Sequence, residues 1–187
     1  MLDRCCGALR RRIAGDYKGR RLETPEGYDV RPTTDKVKEA LFSIISPYIG
    51  GGVVVDLFSG TGNLGLEALS RGAEKCYFCD NSRMSIGIIK RNIKYCNAEE
   101  YSVVYAGDFR QSLQKIKDKA DVIILDPPYE AGYYEEAFEL IRELDLLAED
   151  GVIVAEHWAK LELPEELYGF EKLKDRKYGH IVLSIYG

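Results

Sequence analysis

The sequence predicts an α/β fold on a parallel sheet, and three observations carry that expectation. Val53-Val54-Val55 and Val122-Ile123-Ile124-Leu125 are apolar without alternation, the pattern of strands buried on both faces. The first of these runs passes through Asp56 into a glycine-rich turn and then into Leu64-Gly65-Leu66-Glu67-Ala68-Leu69, which has helical spacing. Strand-like and helix-like segments then alternate to the end of the chain, without internal repeats. A length of 187 residues suits one domain with a sizeable hydrophobic core.

Residues 1–9 show no periodicity and are expected to be disordered. From Arg4 to Arg21 there are seven Lys or Arg and one acid, Asp16, so this segment is +6 in a chain of net charge −5. The remainder is therefore −11. A basic arm on an acidic body is the electrostatic footprint of a nucleic-acid partner, against the plainer alternative of a solvated charged terminus. Arg11 to Gly15 and Arg20 to Glu23 read as a β-hairpin around a glycine-containing turn. The expected organisation is thus an arm over residues 1–30 and a Rossmann-like domain over 31–187.

A Thr or Asp cap at Thr33-Thr34-Asp35 leads into Val37, Ala40, Leu41, Ile44, Ile45 and Tyr48, a helix that Pro47 and Gly50-Gly51-Gly52 should close. After the Val53 strand and its helix, Cys76 to Asp80 is a second strand ending in an acid. Ser82 caps a long helix through Ile86, Ile89 and Ile93. Ser102 to Ala106 is a third strand, and Asp108 caps a helix predicted to reach Lys117. Asp121 to Asp126 is the fourth strand, with a helix from Tyr133 to about Leu144 behind it. Gly151 to Glu156 is the fifth, and a hairpin of Phe170–Lys174 with His180–Tyr186 finishes the sheet.

No apolar run is long enough to span a membrane, and no apolar stretch follows the basic N-terminus as a signal peptide requires. Five cysteines, an odd number, suit a reducing cytoplasm. Cys76 and Cys79 spell C-x-x-C, but on a strand these positions face opposite sides, so they read as packing residues. No cluster suggests a metal.

The loop after the first buried strand spells G-x-G-x-x-G through Gly60, Gly62 and Gly65, which suggests a dinucleotide. Asp56 opposes that reading, because its carboxylate would repel a pyrophosphate held in the same loop. A cofactor carrying an ammonium and a sulfonium, S-adenosylmethionine, would be attracted instead. Asp80, twenty residues after Gly60, stands where ribose hydroxyls are held in both kinds of fold. Asp108 is placed to meet an adenine amine as well as to cap its helix.

The second motif is Asp126-Pro127-Pro128-Tyr129, at the end of a strand expected to neighbour the first. Successive prolines hold the preceding residues extended. The Asp126 carboxylate and the Pro127 carbonyl are then two acceptors aimed at one point, suited to an aromatic amine that becomes positive as it is alkylated. Tyr129 offers a face on which a base stacks, worth ~1–3 kcal/mol. A base in a duplex would first have to be extruded.

Together with Arg12-Ile13-Ala14-Gly15, Lys18-Gly19-Arg20-Arg21-Leu22 and Arg31-Pro32-Thr33-Thr34-Asp35, these motifs resemble the bacterial RsmD family of 16S ribosomal RNA guanine-N2 methyltransferases, in order, from Arg12 onward. The resemblance implies a class I S-adenosylmethionine-dependent methyltransferase fold, a seven-stranded, mostly parallel sheet with an N-terminal hairpin. The implied substrate is 16S rRNA in the small ribosomal subunit or its assembly intermediate. Carried over by position, Asp56, Gly60 and Gly62 would line the methionine end of the cofactor, Asp80 the ribose and Asp108 the adenine. Asp126, Pro127 and Tyr129 would hold the guanine amine. Arg12, Lys18, Arg20, Arg21, Arg31 and Thr33 would engage RNA, mainly its phosphates. Cys79-Asp80 replaces an expected small apolar residue and Glu, so the ribose contact is one methylene shorter. A monomer is expected.

Two other classes compete. One is N-methylation of adenine in DNA or RNA, or of a glutamine side chain, whose enzymes usually carry Asn where this chain has Asp126. The other is a catalytically silent RNA-binding assembly factor, which would have no chemical need for Asp56 and Asp126. A dehydrogenase would need a further catalytic constellation, yet the only histidines are His157 and His180.

Overall fold

A computed structural model describes residues 11–12, 15–17, 19–24, 35–128 and 131–187. The expected disorder of residues 1–9 falls outside these. A short hairpin pairs β1 (Arg11–Arg12) with β2 (Arg21–Leu22). Helices α1 (Asp35–Ile49), α2 (Asn63–Ser70), α3 (Arg83–Cys96), α4 (Phe109–Leu113) and α5 (Tyr134–Glu143) alternate with the strands of one large sheet. Those strands are β3 (Val53–Asp56), β4 (Lys75–Asp80), β5 (Ser102–Ala106), β6 (Ala120–Leu125), β7 (Leu147–Trp158), β8 (Glu166–Leu167), β9 (Phe170–Tyr178) and β10 (Ile181–Tyr186).

The strand order is β5-β4-β3-β6-β7-β10-β9-β8. The first five are parallel, and β10 runs antiparallel between β7 and β9. This is the class I methyltransferase arrangement, with the two-residue β8 added outside the seven expected strands. Alternate residues of each parallel strand enter two cores on opposite faces. Val54, Cys76, Phe78, Val122 and Ile124 pack on one side; Val55, Tyr77, Cys79, Ile123 and Leu125 pack on the other. Both faces being covered by helices is why these strands read as unbroken apolar runs.

Three boundaries differ from expectation. Pro47 lies inside the last turn of α1 and does not end it. Pro47, Ser43 and Ser46 are all exposed, so the bond the imide cannot donate is lost on a face that water reaches. The α4 helix ends at Leu113, not Lys117. Strand β7 extends from Leu147 to Trp158, because β6 and β10 flank it and both supply partners.

The hairpin is docked on the body. Leu22 is completely buried in the core. The Tyr17 N–H donates to Ser70 Oγ over 2.8 Å. Gly15 comes so close to α2 that an added Cβ would lie 2.0 Å from the Ser70 carbonyl oxygen, so no larger residue fits there. Among the described residues no helix is long and apolar enough to cross a membrane.

Candidate active site

The chain runs from β3 outward through β4 and β5, then returns to lay β6 on the other side of β3. At such a reversal point a crevice opens beyond the carboxyl ends of the strands, where α/β folds bind ligands. Both sequence motifs meet there. Asp56 pairs with Ile124 in the parallel register, and the Leu57 N–H donates to the Ile124 carbonyl over 3.1 Å, so Asp126 follows one strand end beside Asp56 at the other.

The glycine loop is tied to its surroundings at every step. Ser59 extends the pairing of β3 with β4. Its N–H donates to the Cys79 carbonyl (2.9 Å), its hydroxyl donates to the Asp56 carbonyl (2.7 Å), and the same oxygen accepts from the Cys79 N–H (3.0 Å). Gly60 and Gly62 have φ of 55° and 75°, a region that only glycine enters without steric cost. A Cβ on Gly60 would meet nothing within 4 Å, whereas one on Gly65 would lie 2.3 Å from Phe78. Gly60 thus borders open space, and Gly65 lets α2 close down on β4.

Asp56 is buried, and its Oδ2 accepts from the Gly65 N–H at the start of α2 over 3.0 Å. Burial pushes its carboxyl up to about 7; the Gly65 bond counteracts this and the nearby Asp80 adds to it. The carboxylate therefore does turn into the loop. Asp80, half-buried at the end of β4, accepts from Gly60 N–H and from Ser82 N–H, each over 2.8 Å. Its carboxyl is raised by burial, against the lowering effect of these backbone donors. Its carboxylate thus ties the loop at Gly60 to the start of the helix at Ser82.

Asp108 caps α4 by accepting from Arg110 N–H (2.9 Å) and also pairs with the Arg110 guanidinium (2.9 Å). Arg110 reaches on to Glu136 of α5. Sequence reasoning missed this bridge, and it missed the aromatic wall beneath it. Phe58, Phe109 and Tyr133 have ring centroids 5.2–6.1 Å apart, with Phe58 and Tyr133 stacked, and Arg110 lies 4.4 Å over Phe109. The three rings come from positions 58, 109 and 133, so no local spacing reveals them. Phe58 and Phe109, each beside a motif acid, were the available signal.

Asp126 is half-buried, Pro127 buried and Pro128 exposed. The Pro128 carbonyl accepts from Ala131 N–H over 2.9 Å, closing the turn. Asp126 lies near the Tyr134 hydroxyl, which donates to the Glu156 carbonyl over 2.6 Å; burial first, then Asp126 and Glu156, push that phenol up. Tyr129, Lys18, Arg31 and Thr33 lie outside the described residues, as does the Arg12 side chain. Arg21 is exposed, whereas Arg20 is half-buried and donates to the Tyr95 carbonyl at the end of α3 over 2.7 Å.

Two other features stand apart from this crevice. His157, Ser184 and Asp175 form a hydrogen-bonded chain, but the completely buried Ser184 hydroxyl donates to Asp175 (2.6 Å), not to an incoming base. A recess lined by Lys119, Arg142, Asp145 and Phe170 opens at the amino ends of the parallel strands, the end opposite both motifs.

The residues present suit the cofactor that the resemblance implies. An acidic residue at each of three strand ends, an open surface at Gly60 and no cationic side chain described in the loop favour a cationic ligand over a pyrophosphate. The Asn63 amide, buried at the start of α2, has neither its oxygen nor its nitrogen hydrogen-bonded, a deficit that a polar ligand in the loop can relieve.

A family described as Conserved hypothetical protein 95 matches residues 10–187. YlbH of Bacillus subtilis is 41% identical over 177 residues, covering 93% of this chain and 96% of the relative. The Ribosomal RNA small subunit methyltransferase D of Escherichia coli is 30% identical over 174 residues, covering 93% and 87%. The solved structure of yhhF from Escherichia coli superposes with a TM-score of 0.85 at 28% identity, covering 95% of this chain and 97% of the other. With the sheet order, the glycine loop and the Asp126 turn all in place, the chain belongs to the RsmD family of methyltransferases.

Proposed function

We propose that this protein transfers a methyl group from S-adenosylmethionine to the exocyclic N2 amine of a guanine in 16S rRNA of the small ribosomal subunit. The observation that carries the reading is the adjacency of the Asp56 loop and the Asp126-Pro127-Pro128 turn at the ends of neighbouring strands β3 and β6. Asp56, Gly60 and Gly62 hold the methionine end of the cofactor, Asp80 its ribose and Asp108 its adenine. Bound there, S-adenosylmethionine supplies an electrophilic methyl group on a positively charged sulfur.

The remaining chemistry belongs to the chain. Asp126 and the Pro127 carbonyl accept the two amine hydrogens, which orients the nitrogen lone pair and raises its nucleophilicity. Both acceptors stabilise the positive charge that develops on nitrogen. Asp126, or water beside it, then takes the proton that leaves. Tyr129 stacks on the extruded base. Because a sulfonium methyl is already reactive, positioning provides most of the acceleration. The arm, with Arg12, Lys18, Arg20, Arg21, Arg31 and Thr33, engages RNA and sets its register.

The test uses labelled S-adenosylmethionine and small subunits from cells lacking this protein, followed by nucleoside analysis. Label in N2-methylguanosine is expected. Label in methyladenosine keeps the cofactor and replaces the acceptor, and absence of label despite cofactor binding overturns the rRNA assignment.

A further inference from the structure

The hairpin and the glycine loop are distant in sequence, yet one side chain holds both. Asn92 lies in the middle of α3 and is 2% exposed. Its Oδ1 accepts from the Glu23 N–H over 2.8 Å, and its Nδ2 donates to the Glu23 carbonyl over 3.1 Å. The second Nδ2 hydrogen goes to the Thr61 carbonyl over 2.9 Å, between Gly60 and Gly62. Asn92 thus grips both polar groups of one peptide residue of the arm, as a paired strand would, and spends its last donor on the cofactor loop. Its nitrogen has two hydrogens and both are committed. Water cannot replace either at a site this buried, so the loop and the arm share one set of positions.

The neighbouring contacts point the same way. Arg91, beside Asn92 on α3, clasps the Glu23 carboxylate with two bonds of 2.6 and 2.8 Å. At the amino end of the same helix, the Asp80 carboxylate holds both the Gly60 N–H and the Ser82 N–H. The α3 helix therefore meets the loop on each side of the Gly60–Thr61 peptide. Glu23 precedes Arg31 by eight residues in the sequence.

From this geometry we infer that Asn92 is a positioning residue that couples the arm to the cofactor loop, so that cofactor and RNA each tighten binding of the other. The inference rests on the reading in which the arm engages rRNA. Thermodynamic linkage makes the coupling reciprocal: whatever factor the cofactor adds to RNA affinity, RNA adds to cofactor affinity.

The experiment measures binding of small subunits, prepared from cells lacking this protein, with and without saturating S-adenosylhomocysteine. It also follows hydrogen exchange of residues 19–24 in the free protein. In the wild type the cofactor product should tighten subunit binding by about fivefold or more and slow exchange in the arm. In Asn92→Ala the ratio should fall to near one and the arm protection should vanish, while S-adenosylhomocysteine affinity stays within a few-fold. Should Asn92→Ala not fold, the near-isosteric Asn92→Leu fills the same space, buries no charge and removes the bonds to both Glu23 and Thr61, with the same outcome expected. Independent binding in the wild type, or an unchanged ratio in the variant, overturns the inference and leaves the proposed function standing. Subunits that never bind overturn the proposed function, and the exchange measurement then decides the inference alone: slowing of arm exchange by S-adenosylhomocysteine in the wild type and its loss in the variant support it, and absence of that slowing in the wild type overturns it. Failure of S-adenosylhomocysteine to bind overturns both.

Discussion

The Gly65 N–H donates to Asp56 Oδ2 over 3.0 Å, so the carboxylate ending β3 is held by the helix that β3 itself feeds. Burial raises the Asp56 carboxyl to about 7, well above its unfolded value near 3.9. A raised folded value means that its stabilising contribution is complete below pH 4 and is lost as pH rises through 7. Asp56→Asn, which keeps an acceptor for Gly65, should gain stability relative to wild type across that window, on the order of 4 kcal/mol by pH 8. Urea unfolding at a series of pH values checks this. A difference between the two proteins that does not vary with pH would show that Asp56 is ionised throughout.

Glycine 65 and glycine 60 belong to one motif but should fail differently. At Gly65 an added methyl group meets Phe78 and Cys76, so Gly65→Ala should cost about 1–3 kcal/mol in stability. At Gly60 the space is open and only the positive φ resists, about 1 kcal/mol, so Gly60→Ala should stay folded and lose cofactor affinity. Thermal unfolding and S-adenosylhomocysteine titration of the two variants separate these effects. Equal loss of affinity with equal stability would contradict the distinction.

The parallel core strands were legible because burial on both faces leaves no polar alternation, and the Ser82 and Asp108 caps were legible because a short polar residue precedes each helix. Asp56 and Asp126 could be paired from sequence since a β-α-β-α order brings returning strands beside the first. Ser59 was not legible, because its bonds to Cys79 span twenty residues. Nor were Arg110 and the ring wall of Phe58, Phe109 and Tyr133, which three separate elements assemble. Asn92 sits in a helix whose apolar spacing masks it as an ordinary turn residue. The β8 strand, two residues long, has too little pattern to register.

Glu67 is completely buried between Lys38 of α1 and Arg71, at 3.1 and 2.8 Å. Removing one member of a buried pair leaves the other charge uncompensated, which costs about 3–5 kcal/mol. Glu67→Ala should therefore destabilise by that amount, and adding Lys38→Met should restore much of the loss. Chemical denaturation of the single and double variants checks the pair, and an additive double variant would count against it.

Asp126→Ala should abolish methyl transfer while leaving S-adenosylhomocysteine affinity within a few-fold, since in the proposed reaction its carboxylate accepts from the substrate amine. Single-turnover rates and calorimetric titration on the same variant make the comparison. Parallel loss of both would reassign Asp126 to the cofactor.

Arg20 and Arg21 are neighbours with different duties. Arg21 is exposed, so Arg21→Ala should lower the slope of log affinity for RNA against log salt by about 1 without changing stability. Arg20 donates to the Tyr95 carbonyl, so Arg20→Ala should also loosen the hairpin, seen as faster hydrogen exchange in residues 19–24. An unaltered salt slope in Arg21→Ala would return the arm to the status of a solvated segment.

The antiparallel flank has a consequence for how copies of this chain meet. Beyond the short β8, the outer edge of β9 exposes backbone along Lys174, Asp175, Arg176 and Lys177. A strand edge of this kind invites sheet growth from one molecule into the next. Here a second copy docking antiparallel about this stretch would set Lys174 against Lys177 at both ends, and like charges placed opposite one another repel. The edge thus carries its own deterrent against polymerisation, so the sheet can end without a covering helix.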